Sequence, residues 1–164
     1  MNRSWKSGIV ALVGLAAFAE FRGVKRRLEV RGTVRGITVY DDFAHHPTAF
    51  ATTIDGLRRS ARDARILAVL EPRSRTMKLG TMRTALPASL AGADKVFCYA
   101  SRLGWDVADA LSPLGAKAAV YDDIEELVEA VGAEARPGDL VLAMSNGSFG
   151  GVHDRIVKRL AGQG

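Results

Sequence analysis

Two carboxylates and two imidazoles lie within six residues of the chain, as Asp41, Asp42, His45 and His46. An apolar run precedes them, and a helical pattern begins at Pro47, where proline's missing N–H would be unpaired anyway. The four side chains are therefore predicted on a loop between a strand and a helix, the place where ligands bind in open α/β sheets. A turn with capping carboxylates and no ligand explains this stretch equally well.

Side chains of these types can also ligate a metal. However, neighbouring residues of one loop rarely all converge on one ion, and His153 is the only further ligand that the sequence offers nearby. No metal site is therefore predicted.

Two further polar loops follow predicted strands. Residues 71–78 carry Arg73, and arginine can hold a carboxylate with two parallel bonds. Residues 145–153 are rich in glycine and offer free N–H groups ahead of the last helix, which suits a carboxylate or a phosphate. Because parallel strands end at the same edge of a sheet, all three loops are expected to meet in one crevice. A solvated basic loop and tight strand-to-helix packing are the alternatives for these two loops.

Apolar runs alternate with helical patterns from residue 47 onward, after a β-hairpin with its turn at Arg35-Gly36. Such alternation is typical of a parallel sheet covered on both faces. The sequence predicts an α/β fold, a three-layer αβα Rossmann-like domain whose sheet is mostly parallel and starts with the hairpin. The predicted strands are residues 37–40, 65–70, 95–99, 118–121 and 140–144; the predicted helices begin near residues 47, 84, 105, 124 and 152.

Composition excludes several classes of protein. The 164 residues suffice for one domain, and the net charge of +5 equals that of residues 22–35 alone, which hold six basic residues and one acid. A basic segment this short, without an aromatic residue on which bases could stack, argues against nucleic-acid binding. The single Cys98 excludes an internal disulfide and is expected to be a buried, inert thiol. The apolar residues 8–18 are too few to span a membrane and are expected to form a buried helix.

The chain also resembles a known family. Residues 23–29 (Gly-Val-Lys-Arg-Arg-Leu-Glu) and 41–48 (Asp-Asp-Phe-Ala-His-His-Pro-Thr) resemble the opening of the C-terminal domain of Mur ligases. Residues 71–80 (Glu-Pro-Arg-Ser-Arg-Thr-Met-Lys-Leu-Gly) and 144–153 (Met-Ser-Asn-Gly-Ser-Phe-Gly-Gly-Val-His) are similar to its murein peptide ligase branch. That branch joins L-alanyl-γ-D-glutamyl-meso-diaminopimelate to UDP-N-acetylmuramate in peptidoglycan recycling. Arg75 stands where this branch has asparagine.

The resemblance implies a three-domain bacterial cytoplasmic ligase. Residues 25–164 would be its peptide-substrate-binding domain and residues 1–24 a remnant of the central ATPase domain, which is the implied partner within the enzyme. The main sites for ATP and Mg²⁺ would lie outside this chain, so the fragment is expected to be inactive alone and to hold no catalytic residue. The implied reaction converts the carboxylate of UDP-N-acetylmuramate to an acyl phosphate, which the amine of the murein tripeptide attacks. No nucleic acid or membrane is expected as a partner.

The same resemblance implies roles for individual residues. Arg27 and Asp42 would contact the nucleotide, and Arg73 would hold a carboxylate of the peptide. The full set implied for peptide binding is His45, His46, Arg73, Ser74, Lys78, Asn146 and Gly150. Two alternatives stay open: the C-terminal domain of the L-alanine-adding Mur ligase, and a free-standing Rossmann-like module that binds another anion.

Overall fold

The structure, a computed structural model, describes residues 26–100 and 103–162. This part contains six strands, β1 (Glu29–Val34), β2 (Ile37–Asp42), β3 (Ile66–Leu70), β4 (Lys95–Tyr99), β5 (Ala118–Tyr121) and β6 (Leu140–Met144). Its α-helices are α1 (Pro47–Ser60), α2 (Arg75–Lys78), α3 (Leu86–Leu90), α4 (Val107–Leu111), α5 (Ile124–Glu134) and α6 (Val152–Ala161). Short 3₁₀ helices cover Arg83–Ala85, Ser112–Lys117 and Phe149–Gly151. The helix predicted at residues 8–18 lies outside the described residues.

The strands form one sheet in the order β1-β2-β6-β3-β4-β5. Only the β1–β2 hairpin is antiparallel, and β6 runs parallel to both of its neighbours, β2 and β3. The last strand of the chain thus enters the middle of the sheet. The predicted mostly parallel α/β fold is confirmed, and the strand order, which the sequence pattern left open, places the topological switch point around β6.

The hairpin turn lies at Arg35-Gly36, where the sequence predicts it. Arg35 and Gly36 have φ angles of 53° and 77°. Two consecutive positive φ values match the type I′ turn, whose twist suits a two-residue connection between antiparallel strands. This turn sends β2, and the Asp/His loop behind it, toward the carboxyl edge of the sheet.

Apolar side chains fill both faces of the sheet, since parallel strands covered on both sides bury every position. One face packs against α1 to α4, with Phe50, Ile54 and Met77 fully buried. The other packs against α5 and α6, where Val131 and Ile156 are fully buried. The three-layer arrangement leaves the ends of the strands as the accessible crevice.

Two local features refine the sequence prediction. Residues 71–80, predicted as a loop, contain the one-turn helix α2, because the Ser74 hydroxyl caps it by accepting from Met77 N–H at 3.3 Å. Cys98 is fully buried in β4, as predicted, and this burial raises the pKa of its thiol. The cysteine is therefore a packing residue.

Candidate functional site

The loops after β2, β3 and β6 meet at the carboxyl edge of the sheet, as predicted. The N–H of Ser145 donates to the carbonyl of Asp42 at 3.1 Å, and the N–H of Glu71 donates to the carbonyl of Met144 at 3.3 Å. The loop after β6 is thus bonded to both neighbouring loops. This convergence follows from the central position of β6.

Ser145 is the hub of the three loops and is 1% exposed. Its carbonyl accepts from Nη2 of Arg26 at 2.9 Å. Its hydroxyl donates to Oε2 of Glu71 at 2.9 Å and accepts from the N–H of Gly147 at 3.0 Å. Because its N–H donates to Asp42, all polar groups of Ser145 form hydrogen bonds, and each bond is to a different residue of the site.

The side chain of Arg26 connects the turn before β1 to Ser145 and to Asp41. Its Nε and Nη2 lie 3.2 and 3.3 Å from the two carboxylate oxygens of Asp41, which is 3% exposed. Its guanidinium carbon lies 5.6 Å from the ring centre of Phe43, within cation–π range. Sequence reasoning missed Arg26, because nothing in its local pattern separates it from the other basic residues around it.

Asp42 organises the backbone around Arg27. Its Oδ2 accepts from the N–H of Leu28 at 2.9 Å, and its Oδ1 accepts from the N–H of Ala44 at 2.8 Å and the hydroxyl of Thr53 at 3.3 Å. Arg27 itself is exposed and stands between two non-glycine residues with positive φ, at positions 26 and 28. Such a backbone is strained and persists only where surrounding contacts hold it. The contacts of Asp42 therefore present Arg27 to solvent in a defined place.

A cavity of about 390 Å³ lies beside Arg27 and is bordered by α1. His45 donates from Nδ1 to the carbonyl of Phe43 at 2.8 Å, and His46 caps α1 by accepting from Ala49 N–H at 3.4 Å. The residues that line the cavity are Arg27, Asp42, Phe43, Ala44, His45, His46, Thr48, Ala49, Thr52 and Thr53. The structure thus brings the two histidines together with the predicted nucleotide residues.

Arg73 lies on the other side of the crevice, across the backbone of Gly147. A Cβ on Gly147 would stand 2.8 Å from Nη1 and 3.0 Å from Cδ of Arg73. Ser74 links this side to the first, because its hydroxyl donates to the carbonyl of His45 at 3.2 Å. Lys78 is exposed at the last position of α2.

Asn146 and Gly150 occupy different parts of the glycine-rich loop. Oδ1 of Asn146 is buried and has no hydrogen-bond partner within the described part of the chain. Gly150 is turned toward α5: its φ is 53°, and a Cβ there would stand 2.6 Å from Cδ1 of Ile124. Its carbonyl accepts from Nε of Arg155 at 2.8 Å. The backbone of Gly150 is thus packed against α5.

The Asp/His cluster does not converge on a point. Asp41 faces Arg26, Asp42 accepts from backbone groups, and the two histidines bond to different peptide groups. Residues 26–100 and 103–162 contain no group of three or more histidine, cysteine, aspartate or glutamate side chains that could hold a metal ion. Within the same ranges, no helix is long and apolar enough to cross a membrane.

Comparison with known families adds a decisive observation. The family model described as "Mur ligase, glutamate ligase domain" matches residues 26–147, which include the six described strands, the loops after β2 and β3, and the first three residues of the loop after β6. The chain belongs to the Mur ligase family. Mur ligases are ATP-dependent enzymes that form amide bonds, and this chain corresponds to their C-terminal domain.

Two curated relatives represent different branches of the Mur ligases. The UDP-N-acetylmuramate–L-alanyl-γ-D-glutamyl-meso-2,6-diaminoheptandioate ligase of Haemophilus influenzae is 44% identical over 156 residues, covering 94% of this chain and 34% of the relative. The UDP-N-acetylmuramate–L-alanine ligase of Streptomyces avermitilis is 38% identical over 167 residues, covering 95% and 36%. The chain spans about a third of the length of these relatives.

Solved structures of Mur ligases share this fold. A domain of a ligase of the first kind from Haemophilus ducreyi is 48% identical with a TM-score of 0.72, covering 82% of this chain and 100% of that one. A murein peptide ligase from Psychrobacter arcticus is 37% identical with a TM-score of 0.77, covering 89% of this chain and 32% of that one. The described part of the chain thus has the Mur ligase C-terminal fold.

Proposed function

We propose that this chain is the peptide-substrate-binding domain of an ATP-dependent ligase that joins L-alanyl-γ-D-glutamyl-meso-diaminopimelate to UDP-N-acetylmuramate. The observation that supports the proposal is the arrangement around Ser145, which bonds to Arg26 beside Arg27 and to Glu71 in the loop of Arg73 and so connects both at one edge of the sheet. The 44% identity to the Haemophilus influenzae relative supports the choice of substrates.

In this proposal the two sides of the crevice have different ligands. Arg27 and Asp42 form the nucleotide side, where the exposed guanidinium of Arg27 would meet phosphate charge. Arg73 holds a carboxylate of the incoming peptide, and its planar fork suits that group. The peptide would span both sides, contacting His45, His46, Ser74, Lys78, Asn146 and Gly150.

The resemblance to Mur ligases implies the bond-forming step. The γ-phosphoryl group of ATP would first be transferred to the carboxylate of UDP-N-acetylmuramate, which gives an acyl phosphate and ADP. The neutral amine of the peptide would then attack the acyl carbon, and the amide forms as phosphate leaves and the amine loses a proton. The domain contributes by holding the amine-bearing peptide at a set distance from the nucleotide, and such positioning removes much of the entropic barrier of a two-substrate reaction.

ATP and Mg²⁺ require a further part of the enzyme in this proposal. We assign the Mg²⁺ ligands and the main ATP site to a central ATPase domain, because this chain covers only 34% of the Haemophilus influenzae relative. Residues 1–24 would be a remnant of that domain, and residues 25–164 its partner. The reaction would take place in the bacterial cytoplasm, where ATP is available.

A second candidate function is ligation of L-alanine, favoured by the 38% identity to the Streptomyces avermitilis relative. The two candidate functions are distinguished by measuring phosphate release from ATP by the complete ligase. The assay contains UDP-N-acetylmuramate and either the tripeptide or L-alanine. We expect kcat/KM for the tripeptide to exceed that for L-alanine roughly 100-fold or more, because a site built for a polar group rejects an analogue that lacks it. A preference for L-alanine would overturn the proposal.

A further inference from the structure

A part-buried chain of hydrogen bonds joins the loop after β3 to the loop after β6. The hydroxyl of Ser145 donates to Oε2 of Glu71 at 2.9 Å and accepts from the N–H of Gly147 at 3.0 Å. A hydroxyl has one proton and two lone pairs, so both bonds form together. The glutamate, two residues before Arg73, thereby fixes a glycine 76 residues further along the chain.

Arg73 contacts both ends of this chain of bonds, Glu71 and Gly147. Its N–H donates to the carbonyl of Glu71 at 2.8 Å. Its side chain lies on Gly147, where an added Cβ would stand 2.8 Å from Nη1 and 3.1 Å from Cζ. The backbone of Gly147 is therefore the platform for the guanidinium, and the bond from Ser145 holds that platform in place.

The guanidinium of Arg73 packs against Gly147, and this packing does not use its N–H donors. Arg73 is exposed, and no hydrogen bond or ion pair of its side chain is found within residues 26–100 and 103–162. Glu71, the carboxylate nearest to Arg73 in sequence, instead accepts from Ser145. The five N–H donors of the guanidinium thus remain available to a ligand.

We propose that Glu71 is a positioning residue for Arg73, acting through Ser145 and Gly147. The inference rests on the proposed function, in which Arg73 binds a carboxylate of the peptide. A free arginine side chain samples many rotamers, and a site that orders it beforehand avoids that cost when the substrate binds. Glu71 itself touches no substrate in this account; it sets where the guanidinium stands.

The test begins with the chain itself, without substrate. ¹⁵N relaxation of the Arg73 Nε–H at mildly acidic pH reports the order of this side chain. We expect order in the wild type, and its loss in Glu71→Ala and in Ser145→Ala, which cut the chain of bonds at two places. Glu71→Gln should keep the order, since its amide oxygen can accept from Ser145. The matched control is Glu134→Ala, which removes a carboxylate bonded to Arg65 at the opposite edge of the sheet.

The second readout is steady-state kinetics of the complete ligase. Glu71→Ala should raise KM for the tripeptide roughly 10- to 100-fold and leave KM for ATP unchanged, because misplacing a binding group by about 1 Å has effects of this size. Glu71→Gln should restore most of the lost affinity.

The outcomes separate the inference from the function on which it rests. An Arg73 side chain as ordered in Glu71→Ala as in the wild type would overturn the inference, whatever the substrate. An equal rise of the KM values for the tripeptide and for ATP would also overturn the inference. Glu71 would then stabilise the whole carboxyl edge of the sheet and not the position of Arg73 in particular. Loss of order with an unchanged tripeptide KM would uphold the positioning role and overturn the proposed role of Arg73 in binding the peptide.

Discussion

Arg26 and Asp41 form a two-bond ion pair that joins the turn before β1 to the end of β2. Nε and Nη2 of the arginine lie 3.2 and 3.3 Å from the two carboxylate oxygens, and Nη2 also reaches the carbonyl of Ser145 at 2.9 Å. One side chain therefore fastens the segment that carries Arg27 to the loop after β6.

Replacing Arg26 by lysine should reduce the free energy of unfolding by about 1–3 kcal/mol, because a single ammonium cannot make these bonds and leaves the buried Asp41 carboxylate underpaired. Urea unfolding of the chain measures this change. The control is Arg31→Lys, whose partner Asp154 has a side chain that is 55% exposed; such surface pairs are worth less than about 1 kcal/mol. Equal losses in both variants would contradict the special role of Arg26.

Arg27→Ala and Asp42→Ala should both impair the use of ATP by the complete ligase, but only the second should reduce stability. Arg27 is exposed, whereas Asp42 accepts three hydrogen bonds and is 6% exposed. Loss of bonds to a buried charge typically costs about 1.5–3 kcal/mol. The measurements are KM for ATP, kcat and urea unfolding. Normal kinetics in both variants would remove these residues from the nucleotide site.

Arg73→Lys should raise KM for the tripeptide and leave KM for ATP unchanged, because lysine offers a point charge where arginine offers two parallel bonds. A peptide that lacks the relevant terminal carboxylate provides the control. Its use should be affected far less by the substitution, since the partner of Arg73 is already absent. An equal loss with both peptides would instead assign Arg73 to the fold or to domain closure.

Gly150→Ala should destabilise the chain by about 1–2 kcal/mol, the usual cost of a left-handed backbone for a residue with a Cβ. Its φ is 53°, and the added Cβ would stand 2.6 Å from Cδ1 of Ile124. The matched control is Gly56→Ala, where an added Cβ would meet nothing within 4 Å beyond its chain neighbours and the adjacent backbone of its own helix. Gly56 is inside α1, so alanine should stabilise that helix by roughly 0.5–1 kcal/mol. Thermal unfolding of both variants should therefore show shifts of opposite sign.

Asp94 should make stability depend on pH in the acid range. Burial alone raises the pKa of this carboxyl, but the N–H of Ile66 and the guanidinium of Arg58 outweigh it and hold the pKa below its usual value. The carboxylate thus stabilises the fold fully above its unfolded pKa, near about 3.9, and this contribution is lost as the pH falls through the lower folded pKa.

Asp94→Asn should accordingly lower the free energy of unfolding by about 1 kcal/mol at neutral pH and by less at roughly pH 3, the size being limited by solvent exposure. Urea unfolding at the two pH values provides the measurement. The control is Asp55→Asn, because Asp55 is exposed on α1 and makes no hydrogen bond or ion pair within the described ranges. The same pH dependence in both variants would contradict this account of Asp94.

Much of the fold follows from local chemistry that the sequence contains. Pro47 begins α1, Arg35-Gly36 forms the type I′ turn, and the apolar runs form strands, since periodicity and turn residues act over a few positions. The meeting of the three loops was also predictable, because the carboxyl ends of parallel strands share one edge. The helix α2 was missed because a single turn capped by Ser74 has too few residues to show a period.

The tertiary structure decided which side chains form the site. Arg26 and Ser145 are 119 positions apart, and their bond exists because β6 inserts between β2 and β3. The same insertion sets Glu71 against Ser145 and Gly147 beneath Arg73, and leaves His45 on the side of Arg27. Hydrophobic periodicity determines which face of a strand is buried but carries no information about which strand lies beside it. Contacts between distant loops therefore depend on the strand order, which only the packed sheet establishes.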